Sequence, residues 1–143
     1  MRNAGCEAAS GDVIAHFDDD DFSAPQRLAD QLRRLDGAQV TGYHTMRFTD
    51  GIKWWVYRGS FSYALGTSLV YRRNWWAQHK FGNLQVGEDN DFVRNAAAVL
   101  TTADAGEMMW ATNHSGNTSP RVMGGSSWQL LEALNVPKMG QKR

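Results

Sequence analysis

Apolar and polar positions along the chain change period from segment to segment, which predicts an alternation of short helices and strands. Residues 2–10 are rich in small residues and predict a short helix that ends at Gly11. Residues 12–17 predict a strand with two largely apolar faces, as in a strand buried within a parallel or mixed sheet. The next helix begins at Pro25 and carries an apolar stripe of three leucines, Leu28, Leu32 and Leu35. We expect this stripe to pack on the sheet, so that the pieces form an α/β unit.

Segments 38–48 and 52–57 are rich in β-forming residues and flank the turn signal Thr49-Asp50-Gly51, which predicts a hairpin. The remaining predicted elements are a strand at 66–71, a helix at 74–81 with Trp75 or Trp76 facing inward, a helix at 88–100, a strand at 107–111 and a last helix at 126–134 before a basic tail. This pattern and the length of 143 residues predict a single α/β domain.

The composition narrows the class of protein. Fifteen basic and fifteen acidic residues cancel, so no net field favours a nucleic-acid partner. No apolar run is long enough to span a bilayer, and the first residues lack the apolar stretch of a signal peptide. The single cysteine, Cys6, has no disulfide partner within the chain, which agrees with a reducing compartment. We therefore expect a cytoplasmic protein, with peripheral contact to the inner membrane face as the alternative.

Four consecutive aspartates, Asp18 to Asp21, follow the first predicted strand. On an extended chain Asp18 and Asp20 share a face, with their bases about 6 to 7 Å apart. Such carboxylates repel each other unless a cation lies between them, and Mg²⁺ and Mn²⁺ prefer oxygen ligands. The alternative is a solvated turn whose acids favour the positive end of the next helix. His16, just before the run, is more typical of a hydrogen-bonded core residue than of a ligand.

A second acidic group, Glu88 and Asp89, lies in the first turn of the predicted 88–100 helix. Ordinary capping and interaction with the helix dipole are the alternative explanation for these acids. Residues 113–119 form a polar loop with His114 near its head. Six tryptophans occur in the chain, and although core packing is their usual role, clustered tryptophans also offer flat faces on which a sugar ring stacks.

Four motifs occur in an order that resembles family 2 glycosyltransferases of the GT-A fold. They are Arg2-Asn3-Ala4-Gly5 before the first strand, Asp18 to Asp21 followed by Pro25 and Leu28, Gly66-Thr67-Ser68 leading through Tyr71-Arg72 to Phe81-Gly82, and Gly87-Glu88-Asp89 with Phe92. The resemblance covers the chain from Arg2 to about Ser119. It implies an α/β fold that binds a nucleotide-diphosphate sugar, with a mixed sheet flanked by helices.

The resemblance implies that the first acidic motif holds a divalent metal, Mn²⁺ or Mg²⁺, on the donor diphosphate. Asp18 and Asp20 match the outer acids of that motif, and Asp20 is the expected direct ligand. Asp19 is expected close to the ribose or sugar of the donor. His114 matches a position that contacts the metal or the diphosphate in some relatives.

The resemblance also implies roles for the second acidic motif and for the start of the chain. Asp89 matches the acid that serves such enzymes as catalytic base, and Glu88 is expected to position the acceptor. Arg2 and Asn3 fall where the family approaches the nucleotide.

The family begins with a further βαβ portion, upstream of Arg2, that this sequence does not contain. Such a unit takes about 30 residues or more. We therefore expect residues 1–143 to form one truncated GT-A domain, in which about 120–143 are a carboxyl-terminal helix and tail. The sheet edge that the missing portion would cover is expected to be exposed and to favour association into a homo-oligomer.

The predicted reaction is an inverting, metal-dependent transfer of a sugar from a nucleotide-diphosphate sugar to a hydroxyl of a glycan or lipid-linked glycan. A carboxylate must take the proton of the acceptor hydroxyl, and a divalent ion neutralises the charge on the departing diphosphate. Two alternatives are open. One is a non-catalytic carbohydrate-binding or assembly module in which tryptophans make the contacts, and the other is metal-dependent hydrolysis at the acidic run.

Overall fold

The computed structural model describes residues 2–83, 87–117 and 121–132. Within these ranges the helices are α1 (Arg2–Ala8), α2 (Arg27–Arg34), α3 (Arg73–Gln78) and α4 (Glu88–Asn95). The strands are β1 (Val13–Ala15), β2 (Phe22–Ser23), β3 (Val40–Thr49), β4 (Trp54–Arg58), β5 (Val70–Arg72), β6 (Leu100–Asp104), β7 (Met109–Thr112) and β8 (Trp128–Leu130). Two 3₁₀ turns span Gly66–Ser68 and Ala97–Val99.

Strand β3 is the centre of the sheet. Most of its ten residues are β-branched or aromatic, and all except Arg47 are buried. It pairs antiparallel with β5 and β4 along one edge and parallel with β6 and β7 along the other. Three antiparallel pairs complete the sheet, namely β1 with β5, β8 with β4 and β2 with β7. The predicted α/β fold with a mixed sheet flanked by helices is confirmed.

The predicted hairpin is formed by β3 and β4. The Asp50 carboxylate closes its turn by accepting hydrogen bonds from the amides of Ile52, at 2.9 Å, and Lys53, at 2.7 Å. Gly51 has a φ of +90°, a conformation that residues with a Cβ rarely adopt. Local turn chemistry therefore fixes the register of the longest strand pair.

Strand β1 is shorter and less buried than the predicted strand at 12–17. It comprises Val13–Ala15, and all three residues are half-buried. Among the described residues it pairs only with β5, so it lies at an edge of the sheet. Association through this edge stays a prediction.

The predicted leucine stripe of α2 is wrong. Leu28 and Leu32 are 39% and 49% exposed, and the buried face of the helix carries Arg27, Gln31 and the following Leu35. Arg27 Nε donates to Gln31 Oε1 at 2.9 Å, and the Gln31 amide donates to the Ser68 carbonyl at 2.7 Å. A polar pair with satisfied hydrogen bonds therefore takes the position expected for leucines.

Two predicted helices are also corrected. The helix predicted at 88–100 ends at Asn95. A 3₁₀ turn at Ala97–Val99 follows, and Leu100 begins β6, which pairs in parallel with β3. The helix predicted at 126–134 is wrong, because Trp128–Leu130 forms strand β8 against β4. The rest of the predicted tail, from 133 onward, lies outside the described residues.

One hydrophobic cluster holds α1, α3 and α4 against the sheet. Phe92 of α4 stacks on Phe81 with ring centroids 4.0 Å apart and packs on Tyr71 of β5. Trp76 of α3 is buried in the same cluster, as predicted, and Trp75 packs against it. This packing fixes the first turn of α4, which carries Glu88 and Asp89. None of the helices in the described ranges has the length and apolar character needed to cross a membrane.

Candidate active site

The acidic loop, residues 18–21 after β1, is attached through Asp21 to β7 and to the Gly66–Ser68 turn. Its carboxylate accepts hydrogen bonds from the Thr67 hydroxyl at 2.6 Å and from the Thr112 amide at 3.0 Å. The Thr112 hydroxyl donates to the backbone carbonyl of Asp20 at 2.8 Å. Burial raises the pKa of Asp21, and the two hydrogen bonds oppose that rise. Asp21 therefore anchors the loop, although no role was predicted for this residue.

The structure brings two predicted metal ligands, Asp20 and His114, together. His114 Nε2 lies 2.8 Å from Asp20 Oδ2, and the Asn117 amide donates to the same oxygen at 3.0 Å. Asp18 and Asp19 are exposed, and their side chains form no hydrogen bond or ion pair with the described residues. The described part of the chain contains no ready cluster of three or more His, Cys, Asp or Glu side chains able to hold a metal ion.

The second acidic group is held by Arg2. The Arg2 guanidinium donates from Nε to Glu88 Oε1 at 3.2 Å and from Nη2 to Asp89 Oδ2 at 3.1 Å. Burial raises the pKa of the Asp89 carboxyl, with Arg2 opposing the rise and the Glu88 charge adding to it. Asp89 Oδ1 is buried and lies 3.1 Å from Arg2 Nε, yet accepts no hydrogen bond from any described residue. A carboxylate with a raised pKa is suited to accept a proton.

The two acidic groups meet at the Gly66–Ser68 turn. Asp89 lies so close to Gly66 that a Cβ built on that glycine would overlap the carboxylate and would lie 2.9 Å from Asp89 Cβ. The neighbouring Thr67 holds Asp21 of the acidic loop. The negative charge of Asp18 also raises the pKa of Asp89. The predicted base and the predicted metal loop therefore border the same turn.

His16 lies beside this turn, directly after β1, and is hydrogen-bonded, as predicted for a core histidine. Its Nε2 is 3.0 Å from the Tyr71 hydroxyl, and its Nδ1 is 2.7 Å from both the Gly66 carbonyl and Arg2 Nη1. Nδ1 makes one hydrogen bond in either neutral tautomer, donating to the carbonyl or accepting from the guanidinium. Burial and the nearby Arg2 charge lower the pKa of His16 from 6.5 to about 4.

We predict that acid destabilises the protein through His16. The unfolded chain binds the proton first, so the penalty is absent above about pH 6.5 and grows as the pH falls toward 4. Between pH 7 and pH 5 it should cost about 1 to 2 kcal/mol, allowing for the solvent that reaches the ring. Urea unfolding at both pH values should show this loss in the wild type and in His79→Gln, and a smaller loss in His16→Gln. Equal losses in the wild type and His16→Gln would contradict it.

The start of α1 holds the other two residues predicted at the nucleotide. Arg2 contacts the acids of α4, as described above. The Asn3 side chain donates to the Phe81 carbonyl at 2.9 Å and accepts from the Phe81 amide at 3.1 Å and the Trp76 indole at 3.0 Å. These bonds join α1 to α3, and the nucleotide contacts of Arg2 and Asn3 stay predictions.

The tryptophans are largely packing residues. Trp54, Trp76 and Trp110 are buried, and Trp110 stacks on Phe22 with ring centroids 3.6 Å apart. Their faces are therefore occupied by protein. This gives little support to a module that binds carbohydrate mainly through tryptophan faces.

Comparison with known proteins agrees with the fold. The sequence model described as Glycosyl transferase family 2 matches residues 1–101, which are 101 of the 143 residues. The chain belongs to the family 2 glycosyltransferases. The matched range contains both acidic groups, whereas His114 lies beyond it. Searches of curated proteins and of solved structures gave no match.

Proposed function

We propose that the chain carries out metal-dependent, inverting transfer of a sugar from a nucleotide-diphosphate sugar to a hydroxyl of a glycan or lipid-linked glycan. The observation that supports this best is that both acidic groups contact the Gly66–Ser68 turn, with the carboxylate of Asp89 against Gly66 and the acidic loop held by Thr67. A displacement reaction needs a leaving-group site and a base on opposite sides of the reacting carbon. The proposal assigns the acidic loop to the leaving group and Asp89 to the base.

Asp20 of the acidic loop and His114 after β7 offer two donor groups for a divalent cation. Asp20 and His114 offer a carboxylate oxygen and an imidazole nitrogen 2.8 Å apart, both partly exposed. Carboxylates suit Mn²⁺ and Mg²⁺, and neutral imidazole is a common additional ligand. Asp20 and His114 would hold the ion, with Asp18 as a further oxygen ligand. When bound, the ion neutralises charge on the diphosphate leaving group.

Asp89 is proposed as the base that takes the proton of the acceptor hydroxyl. Its raised pKa increases its basicity, and its Oδ1 accepts no hydrogen bond from the described residues. Arg2 orients the carboxylate through Oδ2, and Glu88, which the same guanidinium contacts, is proposed to position the acceptor. Attack from the side opposite the leaving group inverts the anomeric centre.

The donor nucleotide is proposed to lie along the start of α1 and the acidic loop. Arg2 and Asn3 would approach the nucleotide, and the exposed Asp19 would approach the ribose or sugar. These assignments rest on the family to which the chain belongs.

We predict that Mn²⁺ binds at Asp20. Titration followed by electron paramagnetic resonance should give an affinity that rises when uridine diphosphate is added and falls at least roughly tenfold in Asp20→Ala. Asp36→Ala, which removes an exposed acid after α2, serves as the control and should bind Mn²⁺ normally. Unchanged binding in Asp20→Ala would contradict the proposed metal site, and product formation without an acceptor sugar would favour hydrolysis.

A further inference from the structure

We propose that Gly66 and Thr67 are positioning residues that together set the separation between the catalytic base and the acidic loop. The proposal rests on the proposed function for its catalytic meaning. The structural part of the proposal is that one turn holds the two acidic groups in place independently. This part depends only on the contacts of the turn.

Gly66 provides the seat for Asp89. A Cβ at this position would overlap Asp89 Oδ2 and Cγ, and would lie 2.9 Å from Asp89 Cβ. Gly66 is buried and is not among the glycines with a positive φ. The backbone conformation therefore does not demand glycine here. The demand comes from the closeness of the Asp89 side chain.

Thr67 faces the other acidic group. Its hydroxyl donates to Asp21 Oδ2 at 2.6 Å, and Asp21 Oδ1 accepts from the Thr112 amide at 3.0 Å. The acidic loop is thus fastened between the turn and the end of β7. Gly66 and Thr67 are adjacent in one turn but contact different acidic groups. Gly66 leaves room for Asp89 because it has no side chain, and Thr67 holds Asp21 through its hydroxyl.

Hydrogen bonds to several other segments hold the turn in place. The Ser68 hydroxyl donates to the Leu65 carbonyl at 2.7 Å and accepts from the Tyr43 amide at 2.8 Å. The Ser68 carbonyl accepts from the Gln31 amide at 2.7 Å, and the Gly66 carbonyl lies 2.7 Å from His16 Nδ1. With these contacts to β3, α2 and β1 in place, a side chain added at Gly66 displaces Asp89 and leaves the turn where it is.

The first test is Gly66→Ala in the 143-residue chain, with Gly124→Ala as the control because a Cβ at Gly124 meets nothing within 4 Å. Carboxyl nuclear magnetic resonance should show the Asp89 pKa falling toward its ordinary range in Gly66→Ala, since the carboxylate leaves its partly buried position. Mn²⁺ affinity with uridine diphosphate present should stay within twofold. Turnover, measured as the release of uridine diphosphate from uridine-diphosphate sugars that depends on an added acceptor, should fall roughly 100-fold, as expected for a base misplaced by about 1 Å.

The second test is Thr67→Val, with Thr67→Ser as the matched control that keeps the hydroxyl. Hydrogen exchange of the Thr112 amide, which donates to Asp21, should accelerate at least tenfold in Thr67→Val and return in Thr67→Ser. The Asp89 pKa should not move in either variant. Mn²⁺ affinity should fall in Thr67→Val and recover in Thr67→Ser.

The two variants must give separate results for the proposal to stand. An unchanged Asp89 pKa in Gly66→Ala would overturn it, and so would variants that each alter both the Asp89 pKa and Thr112 exchange, which is the behaviour of general loss of structure. If the structural readouts separate as expected but Asp89→Asn turns over normally, the proposed base is wrong and the positioning of the two acidic groups by the turn stands.

Discussion

Asp89→Asn should lower sugar transfer by roughly 10²- to 10⁴-fold in kcat, the contribution typical of a general base. The amide has nearly the same shape as the carboxylate and fits the space beside Gly66, but it cannot take the proton of the acceptor hydroxyl. Binding of Mn²⁺ and uridine diphosphate should stay close to wild type, because Asp89 is bonded to Arg2 and not to the acidic loop. Steady-state kinetics and Mn²⁺ titration on the same preparations measure both effects.

The control is Asp91→Asn on the same helix. Asp91 is half-exposed and forms a 3.9 Å ion pair with Arg94, one turn along α4. Such a surface pair contributes about 0 to 1 kcal/mol, so this variant should keep both its stability and its turnover. Near-normal turnover in Asp89→Asn would show that another group accepts the proton.

Arg27→Leu should lower the free energy of unfolding by about 3 kcal/mol or more. Arg27 is fully buried, and its guanidinium donates to Gln31 at 2.9 Å, to the Ser23 hydroxyl at 2.7 Å and to the His16 carbonyl at 2.9 Å. Leucine leaves these acceptors in the protein interior without their donor. The cost of burying the charge, visible in the lowered pKa of Arg27, offsets part of the loss.

Urea unfolding measures this difference, and Arg33→Leu is its control. Arg33 is 78% exposed on the same helix and lies 3.6 Å from Asp30, so its replacement should change stability by no more than about 0.5 kcal/mol. If Arg27→Leu were as stable as Arg33→Leu, the buried hydrogen bonds of Arg27 would not stabilise the packing of α2 on the sheet.

Features of the fold that depend on neighbouring residues were predictable from the sequence. The β3–β4 hairpin follows from Asp50 and Gly51, whose turn chemistry acts within four residues. The start of α4 at Glu88 was likewise visible from the change in pattern there.

Features that depend on distant partners were not predictable. Arg27 and Gln31 lie outside the predicted leucine stripe, and only the acceptors supplied by other segments make their burial favourable. Val99 and Leu100 continue the helical spacing of α4, yet pairing with β3 turns the chain into β6. Trp128–Leu130 becomes a strand only because β4 offers a free edge to it.

The site shows the same division. Clusters of acids identify the two acidic groups, because like charges close in sequence are conspicuous. The closeness of Gly66 to Asp89 and the anchoring of Asp21 by Thr67 join residues far apart in the chain, and no local pattern encodes them. Gly66-Thr67-Ser68 was noticed as a motif, but its physical role appears only once α4 is packed beside it.

The contact of Arg2 with Glu88 and Asp89 has a practical consequence for how the protein is produced. Any segment joined ahead of Arg2, natural or added as an affinity tag, emerges directly beside these acids. A histidine tag at that end would bring imidazoles and captured nickel within reach of the same carboxylates. Purification and assays are therefore cleaner when no histidine tag precedes Arg2.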